Sequence, residues 1–361
     1  LVAKTKISLE KQGYKSAFNP GKTSLGLQLG QYNSFESDFS FSIGQSFEFP
    51  TVYSNQKKLA GERTKGSRQL LAVTENELKR NIRQAWYQLA YLEAKQELLI
   101  YQDSIYARFV RTATLRYETQ ETSYLEKVSA ETGAMEIQNK LRLLRADMAI
   151  QQKQLQVLVN DTTELSFHPV GLQERKFAVP LNGPSLIGNP LLGLTRQQVV
   201  IANAERAVQS SKMLPDLFIG YFNQSLIGTP NVDGSIAGAS NRFDGLEFGI
   251  SLPLFYGSYK AKVKSAELNR EMAQTRADYY YTGLRGQYSQ GLEEVMKFQS
   301  SLSYYKEKAI PQADLVIGNA QKSFENGAID YVEYFQSLNQ ALDIKFNYLI
   351  AINGFNQALI N

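Results

Sequence analysis

Two short stretches near the start of the chain alternate large apolar residues with small or polar ones. Leu25, Leu27 and Leu29 form one row, and Phe39, Phe41, Ile43, Phe47 and Phe49 form the next. Between them stand Gly26, Gln28, Gly30, Ser40, Ser42, Gly44 and Ser46, and a polar turn from Asn33 to Asp38 separates the two stretches. Successive side chains of a strand point to opposite faces, so the pattern predicts a β-hairpin with one apolar face and one face able to line water. A half-buried hairpin of a soluble protein would show the same alternation.

The period then changes. Leu71, Leu78, Ala85, Leu92, Leu99 and Tyr106 recur every seven residues, supported by Ile82 and Leu89, in a proline-free stretch from about Asn55 to Tyr117. This predicts a helix of roughly sixty residues, on the order of 90 Å long, which is a rod and not the core helix of a globular domain. A break at Glu118 to Thr122 is followed by a second helical pattern to about Val159. It carries Ala134, Leu141, Met148 and Leu155 on one track and Ile137, Leu144 and Leu158 on its neighbour, so the rod folds back on itself. The segment 161–190, with Pro169, Gly171, Pro180, Gly183 and Pro184, reads as a linker. The single histidine, His168, lies in it and reads as a surface residue.

Beyond the linker the order repeats. A helix is expected over 191–213, a strand from Asp216 to Leu226, a polar loop from Gly228 to Asn241, and a strand in which Leu246, Phe248, Ile250 and Leu252 alternate with Gly245, Glu247, Gly249 and Ser251. The first hairpin exits through Phe49-Pro50-Thr51-Val52-Tyr53 and the second through Leu252-Pro253-Leu254-Phe255-Tyr256. Both lead towards a long helix, with proline suited to its first turn. The second rod runs from Ser258 to Phe324 with a kink expected at Pro311, breaks at Glu325-Asn326-Gly327, and returns as a helix over 329–360. Ser123-Tyr124-Leu125-Glu126 lines up with Asp330-Tyr331-Val332-Glu333, so the chain is an internal duplication. Its halves are 1–160 (hairpin 22–49, helices 55–117 and 122–159) and 191–361 (helix 191–213, hairpin 216–253, helices 258–324 and 329–360). The predicted class is mainly α with a small β part.

Composition narrows the functions open to such a chain. With 361 residues and 43% hydrophobic content it folds, and 39 basic against 35 acidic residues, with no dense Lys/Arg block, point away from nucleic acid. The absence of cysteine and the single histidine remove thiol catalysis, disulfides and Cys/His zinc sites, so no metal or cofactor is expected. No paired acid with histidine, phosphate loop or serine elbow is present, which argues against an enzyme. No apolar run is long enough for a membrane helix, but the short alternating strands of a transmembrane barrel need none. Four strands are too few to close a barrel, and their edges would be costly in lipid, so closure would require further copies; the pattern alone leaves the copy number open.

The chain resembles the TolC-like outer-membrane efflux proteins. The resemblance covers nearly the whole sequence and rests on the duplication, on Lys212-Met213-Leu214-Pro215-Asp216-Leu217 opening the third strand, on Ser251-Leu252-Pro253-Leu254-Phe255 closing the fourth, and on Ile310-Pro311 through Tyr331. It implies a homotrimer in which twelve strands form a β-barrel in outer-membrane lipid and the helices form an α-barrel in the periplasm. It further implies an exit duct for drugs, metals or peptides, fed by a periplasmic adaptor (a membrane fusion protein) and an inner-membrane pump of the resistance-nodulation-division type. Only 19 residues precede Pro20, whereas Asn189-Pro190 stands 25 residues before Pro215. The expectation is therefore that the chain begins within its first helix and belongs to a longer polypeptide, a fusion to the pump included. The lipidated N-terminal cysteine of some relatives is not present.

The resemblance places the duct entrance at the helix-hairpin tips. Glu126 and Glu333 occupy matching positions there, and a trimer would carry six such carboxylates, which favours cations; solvated glutamates with no role in passage are the plainer reading. Gln336 replaces a second acid of some members. Tyr117, Tyr124, Phe324 and Tyr331 flank the breaks and would pack the tips shut, grip the adaptor, or simply fill the turn. Tyr32, Phe49, Tyr53, Phe222, Phe255 and Tyr256 are candidates for the aromatic girdles at the membrane interfaces. A soluble periplasmic coiled-coil adaptor or rod is the rival outside this class, and a type I protein-secretion duct the rival within it. The coiled-coil rival accounts for the helices but for neither the amphipathic hairpins nor the duplication.

Overall fold

The computed structural model describes residues 1–161, 163, 167–169, 171–177 and 186–361, without the side chain of 187. The linker prolines and glycine Pro180, Gly183 and Pro184 lie outside these residues. A first helix α1 (Val2–Lys15) leads to β1 (Ser24–Gly30), β2 (Asp38–Phe47), α2 (Pro50–Glu118) and α3 (Tyr124–Val159). A short 3₁₀ turn (Leu186–Gly188) precedes α4 (Pro190–Ser211), β3 (Asp216–Ser225), β4 (Arg242–Ser251), α5 (Gly257–Tyr304), a π turn (Tyr305–Ala309), α6 (Ile310–Glu325) and α7 (Tyr331–Ile360). The class expected from the sequence holds: the chain is mainly helical, with one four-stranded antiparallel sheet.

The sheet order is β1-β2-β3-β4, so the two hairpins join through β2 and β3. Register carries the alternation across all four strands. Leu25 faces Ile43 and Leu27 faces Phe41; Ile43 in turn faces Tyr221 and Phe47 faces Leu217. Leu217, Ile219 and Tyr221 then meet Ile250, Phe248 and Leu246. A slip of one residue at any pairing would scatter this row over both faces. The row is open: Leu25, Leu29, Leu246 and Phe248 are 69%, 78%, 67% and 73% exposed. Among the described residues β1 pairs only with β2 and β4 only with β3, leaving one unpaired edge on each.

Helix α2 is one uninterrupted element of 69 residues. It starts five residues earlier than the periodicity indicates, because Pro50 supplies a preset φ at the first helical position and its missing N–H has no partner to lose there. From Ala85 onward the seven-residue stripe is buried, through Leu92, Leu99 and Tyr106, with Leu89 wholly enclosed. Leu78 departs from the stripe and is 41% exposed. The second rod, Gly257 to Glu325, matches α2 in length but differs in two ways.

Pro253 does not open a helix as expected. It lies in the connector after β4, and α5 begins at Gly257. That longer connector accounts for the mismatch between the spacing of the two prolines and that of the tips, since Pro50 and Gly257 stand at the same separation as Ser123 and Asp330. Near Pro311, where a kink was expected, the α-helical pattern gives way to a π turn. Proline cannot donate to the carbonyl four residues back and its ring crowds it, and the chain responds with the π turn Tyr305–Ala309 immediately upstream.

The chain forms two compact units, Leu1–Thr74 with Ser185–Gly283, and Glu75–Pro184 with Leu284–Asn361. Each draws on both halves of the duplication. The first holds the sheet; there Arg63 pairs with Glu205 at 2.8 Å, Gln197 donates to Glu62, and Leu192 and Val52 are enclosed. The second holds both helix tips. Its core packs α2, α3 and α7 around Leu99, Ile137, Leu144 and Phe335. A further cluster closes around Ile352 and Phe355 of α7, with Leu172 and Phe177 of the linker against it.

Buried Asn356 fastens that linker segment. Its Oδ1 accepts the Arg175 N–H at 2.9 Å and its Nδ2 donates to the Gln173 carbonyl at 2.8 Å. Asn356→Ala removes both bonds and leaves the two backbone groups unpaired, so it should cost about 2 kcal/mol. Thermal unfolding would register this as a lower Tm, and limited proteolysis as faster cleavage within 171–177.

Candidate functional site at the helix tips and the sheet faces

Both tips use one local device. Ser123 caps α3 by accepting the Glu126 N–H at 3.2 Å, and Asp330 caps α7 by accepting the Glu333 N–H at 2.9 Å. A short polar side chain at the N-cap satisfies an otherwise orphaned amide, and a glutamate in the first turn suits the positive end of the helix. Each glutamate therefore has a local helix-starting role whatever else it does. Their carboxylates differ. Glu126 lies 3.4 Å from the Arg116 guanidinium and accepts the Thr122 hydroxyl. Glu333 is exposed and makes no ion pair among the described residues. Gln336 is also exposed.

The aromatic residues divide along the same line. Tyr117 and Tyr124 meet at a tilt of 55°, centroids 5.5 Å apart, with the Lys127 ammonium over Tyr117, and Tyr124 stays 62% exposed. Its counterpart Tyr331 lies face to face on Phe109 at 3.5 Å and touches Phe335, which also meets Tyr106 edge-on at 4.7 Å. Phe324 stacks on Tyr334 at 4.8 Å. Burial pushes the Tyr331 hydroxyl well above the ordinary tyrosine range, helped by Tyr106 and the Glu126 charge. Periodicity did not single out Phe109 or Phe335, whose counterparts in the other half are Val316 and Val128.

The two faces of the sheet also differ. The apolar row covers one; the other is Gly, Ser, Gln and Asp on β1 and β2. At the turn end Asp38, expected in the turn, is the first residue of β2 and is buried. It accepts the Ser34 hydroxyl at 2.7 Å, the Ser225 hydroxyl at 2.9 Å and the Ile227 N–H at 3.0 Å, tying the β1–β2 turn to the β3–β4 loop.

No family model and no curated protein matches this sequence. Solved structures do. The CmeC outer membrane channel of Campylobacter jejuni superposes with a TM-score of 0.83 over 99% of this chain and 80% of that one, at 14% identity. The outer membrane protein VceC of Vibrio cholerae gives 0.76 over 99% and 91%, at 16% identity. The open-state MtrE outer membrane channel of Neisseria gonorrhoeae gives 0.75 over 99% and 83%, at 13%.

The chain has the TolC-like fold.

Within this TolC-like fold the proposed girdle residues separate. Tyr32 lies in the β1–β2 turn, and Phe49, Phe255 and Tyr256 in the connectors to α2 and α5, with Phe255 88% exposed. Tyr53 is in the first turn of α2, where its hydroxyl accepts the Glu48 N–H at 2.9 Å and its ring packs on Phe18. Phe222 does not join the apolar row. It pairs with Ser42 and Gly245, one residue out of phase with Tyr221, which puts its ring on the opposite face.

Two outcomes follow for the tips. Phe109→Ala deletes the ring that Tyr331 and Phe335 share and should cost about 3–5 kcal/mol, whereas Tyr124→Ala should stay within about 0.5 kcal/mol; denaturant unfolding of the two variants would compare them. A raised Tyr331 value means stability is intact while the hydroxyl is protonated in both states and falls as pH climbs past the ordinary value of 10.0. Tyr331→Phe should therefore blunt the alkaline loss of Tm.

Proposed function

We propose that this chain is one subunit of a trimeric outer-membrane duct. The observation that carries the reading is the sheet: an exposed apolar face continuous over four strands, a face of small and polar residues behind it, and an unpaired edge at either end. Apolar residues facing outward and polar residues inward, on strands of seven to ten residues, suit a barrel in lipid. Unpaired strand edges in hydrocarbon cost several kcal/mol per group, so the edges call for further copies, β4 of one subunit meeting β1 of the next. Three copies make twelve strands, an even number within the range of such barrels. The likeness to outer-membrane channels supports the duct reading.

A duct of this kind needs a lumen and an entrance, not a catalytic group. The helix tips are the proposed periplasmic entrance, with an adaptor and an inner-membrane pump as partners for export. Glu333, exposed and without an ion pair, is the carboxylate best placed to act on passing ions. Glu126 is partly neutralised by Arg116 and contributes less.

Planar-bilayer recording with native mass determination tests the reading. Trimers that conduct, with a potassium-over-chloride preference lowered more by Glu333→Gln than by Glu126→Gln, are the expected result. A monomer that never inserts would return the chain to a soluble coiled coil.

A further inference from the structure

The small and polar face of the sheet is interrupted on β3. Phe218 and Phe222 point to that face, and each ring lies against glycine. A Cβ added at Gly44 would come within 2.7 Å of the Phe218 ring and one at Gly220 within 3.0 Å. At Gly245 it would come within 2.8 Å of the Phe222 ring. Any other residue at Gly44 or Gly245 would push these rings aside, so the glycines give each ring its room against the backbone. Both phenylalanines are half-buried.

The register fixes what stands beside them. Phe218 pairs with Gly249, Gly220 with Glu247, and Phe222 with Gly245. Along this face a Phe-Gly-Phe run therefore opposes a Gly-Glu-Gly run, and Glu247 sits diagonal to both rings, at the roughly 7–8 Å separation of such neighbours. Its carboxylate is exposed and, among the described residues, makes neither a hydrogen bond nor an ion pair. No Lys or Arg occupies a strand position on this face; the one basic strand residue, Arg242, belongs to the apolar face, over the Phe39 ring. Of the other acids there, Asp38 is buried and consumed by its three hydrogen bonds, and Asp216 lies at the strand end beside Lys212. Two half-buried aromatic rings flanking an uncompensated, exposed carboxylate complement a cation that carries an apolar body.

We propose that Phe218, Phe222 and Glu247 form a contact site for organic cations with an aromatic or apolar body, the rings taking the body and the carboxylate the charge. This rests on the duct reading, in which the small and polar face lines the lumen; a trimer would then repeat the site three times around the barrel.

The test is current block in planar bilayers of the full chain in potassium chloride, with tetraphenylphosphonium as probe. Tetraphenylborate, with the same body and opposite charge, and tetramethylammonium, with the charge but no aromatic body, are the controls. The expected result is block by tetraphenylphosphonium at concentrations where neither control acts. Glu247→Gln, an exposed change that does not threaten folding, and the pair Phe218→Leu/Phe222→Leu should each raise the half-blocking concentration by about tenfold. Equal block by tetraphenylborate, or block unchanged in both variants, would overturn the inference. A conducting chain that tetraphenylphosphonium leaves unblocked sinks this site alone, whereas a chain that carries no current removes the duct reading and the site with it.

Discussion

The constraint on which the rest depends is the pairing of backbone groups along two strand edges. Four strands in the order β1-β2-β3-β4 satisfy each other internally and leave β1 and β4 open on one side. In water such edges would be hydrated; in the lipid of the proposed duct they would have no solvent to turn to. The remedy within reach of a single gene is another copy of the same edge pair. A duplicated chain that contributes an even number of strands of matched direction suits closure by repetition. The β2–β3 pairing joins the two halves of the duplication in a single sheet and lets one alternation run through all four strands.

Duplication gave two tips with the same caps and then let their packing diverge. Ser123 and Asp330 do the same work for the helix behind them, and Tyr124 and Tyr331 occupy the same place after the cap. Yet one ring faces solvent and the other lies on Phe109. The difference comes from the neighbours: α7 carries Phe335 one turn beyond Tyr331, where α3 has Val128, so an aromatic cluster assembles on one tip only. The glutamates diverge for the same kind of reason, because Arg116 and Thr122 converge on Glu126.

Glycine and proline mark where the backbone had to be accommodated. Pro50 starts a helix because nothing is lost there, while Pro311, inside a long helix, shifts the cost into a π turn and the rod continues. Gly44 and Gly245 serve the strands differently, by leaving room for phenylalanine rings against the sheet. Small residues that read in sequence as a water-lining face are, at these positions, the seats of aromatic side chains.

The order of elements was legible in the sequence because it depends on local period: two for the strands, seven for the rods, with proline and glycine at the joins. The repeated elements and the helix breaks each follow from residues close together along the chain, whereas the capping roles of Ser123 and Asp330 came only with the structure. What lay beyond it depends on contacts between segments far apart. The alternation of β4 was visible and β3 was expected as a strand, but that Phe222 stands out of phase with the apolar row follows from a register set by β2 and β4. The exposure of Leu78, the stacking of Tyr331 on Phe109 and the pairing of Glu126 with Arg116 likewise need a second helix to decide them. Periodicity assigns a residue to a face, but which faces meet, and what a carboxylate or a ring finds there, is set only when segments distant in sequence pack together.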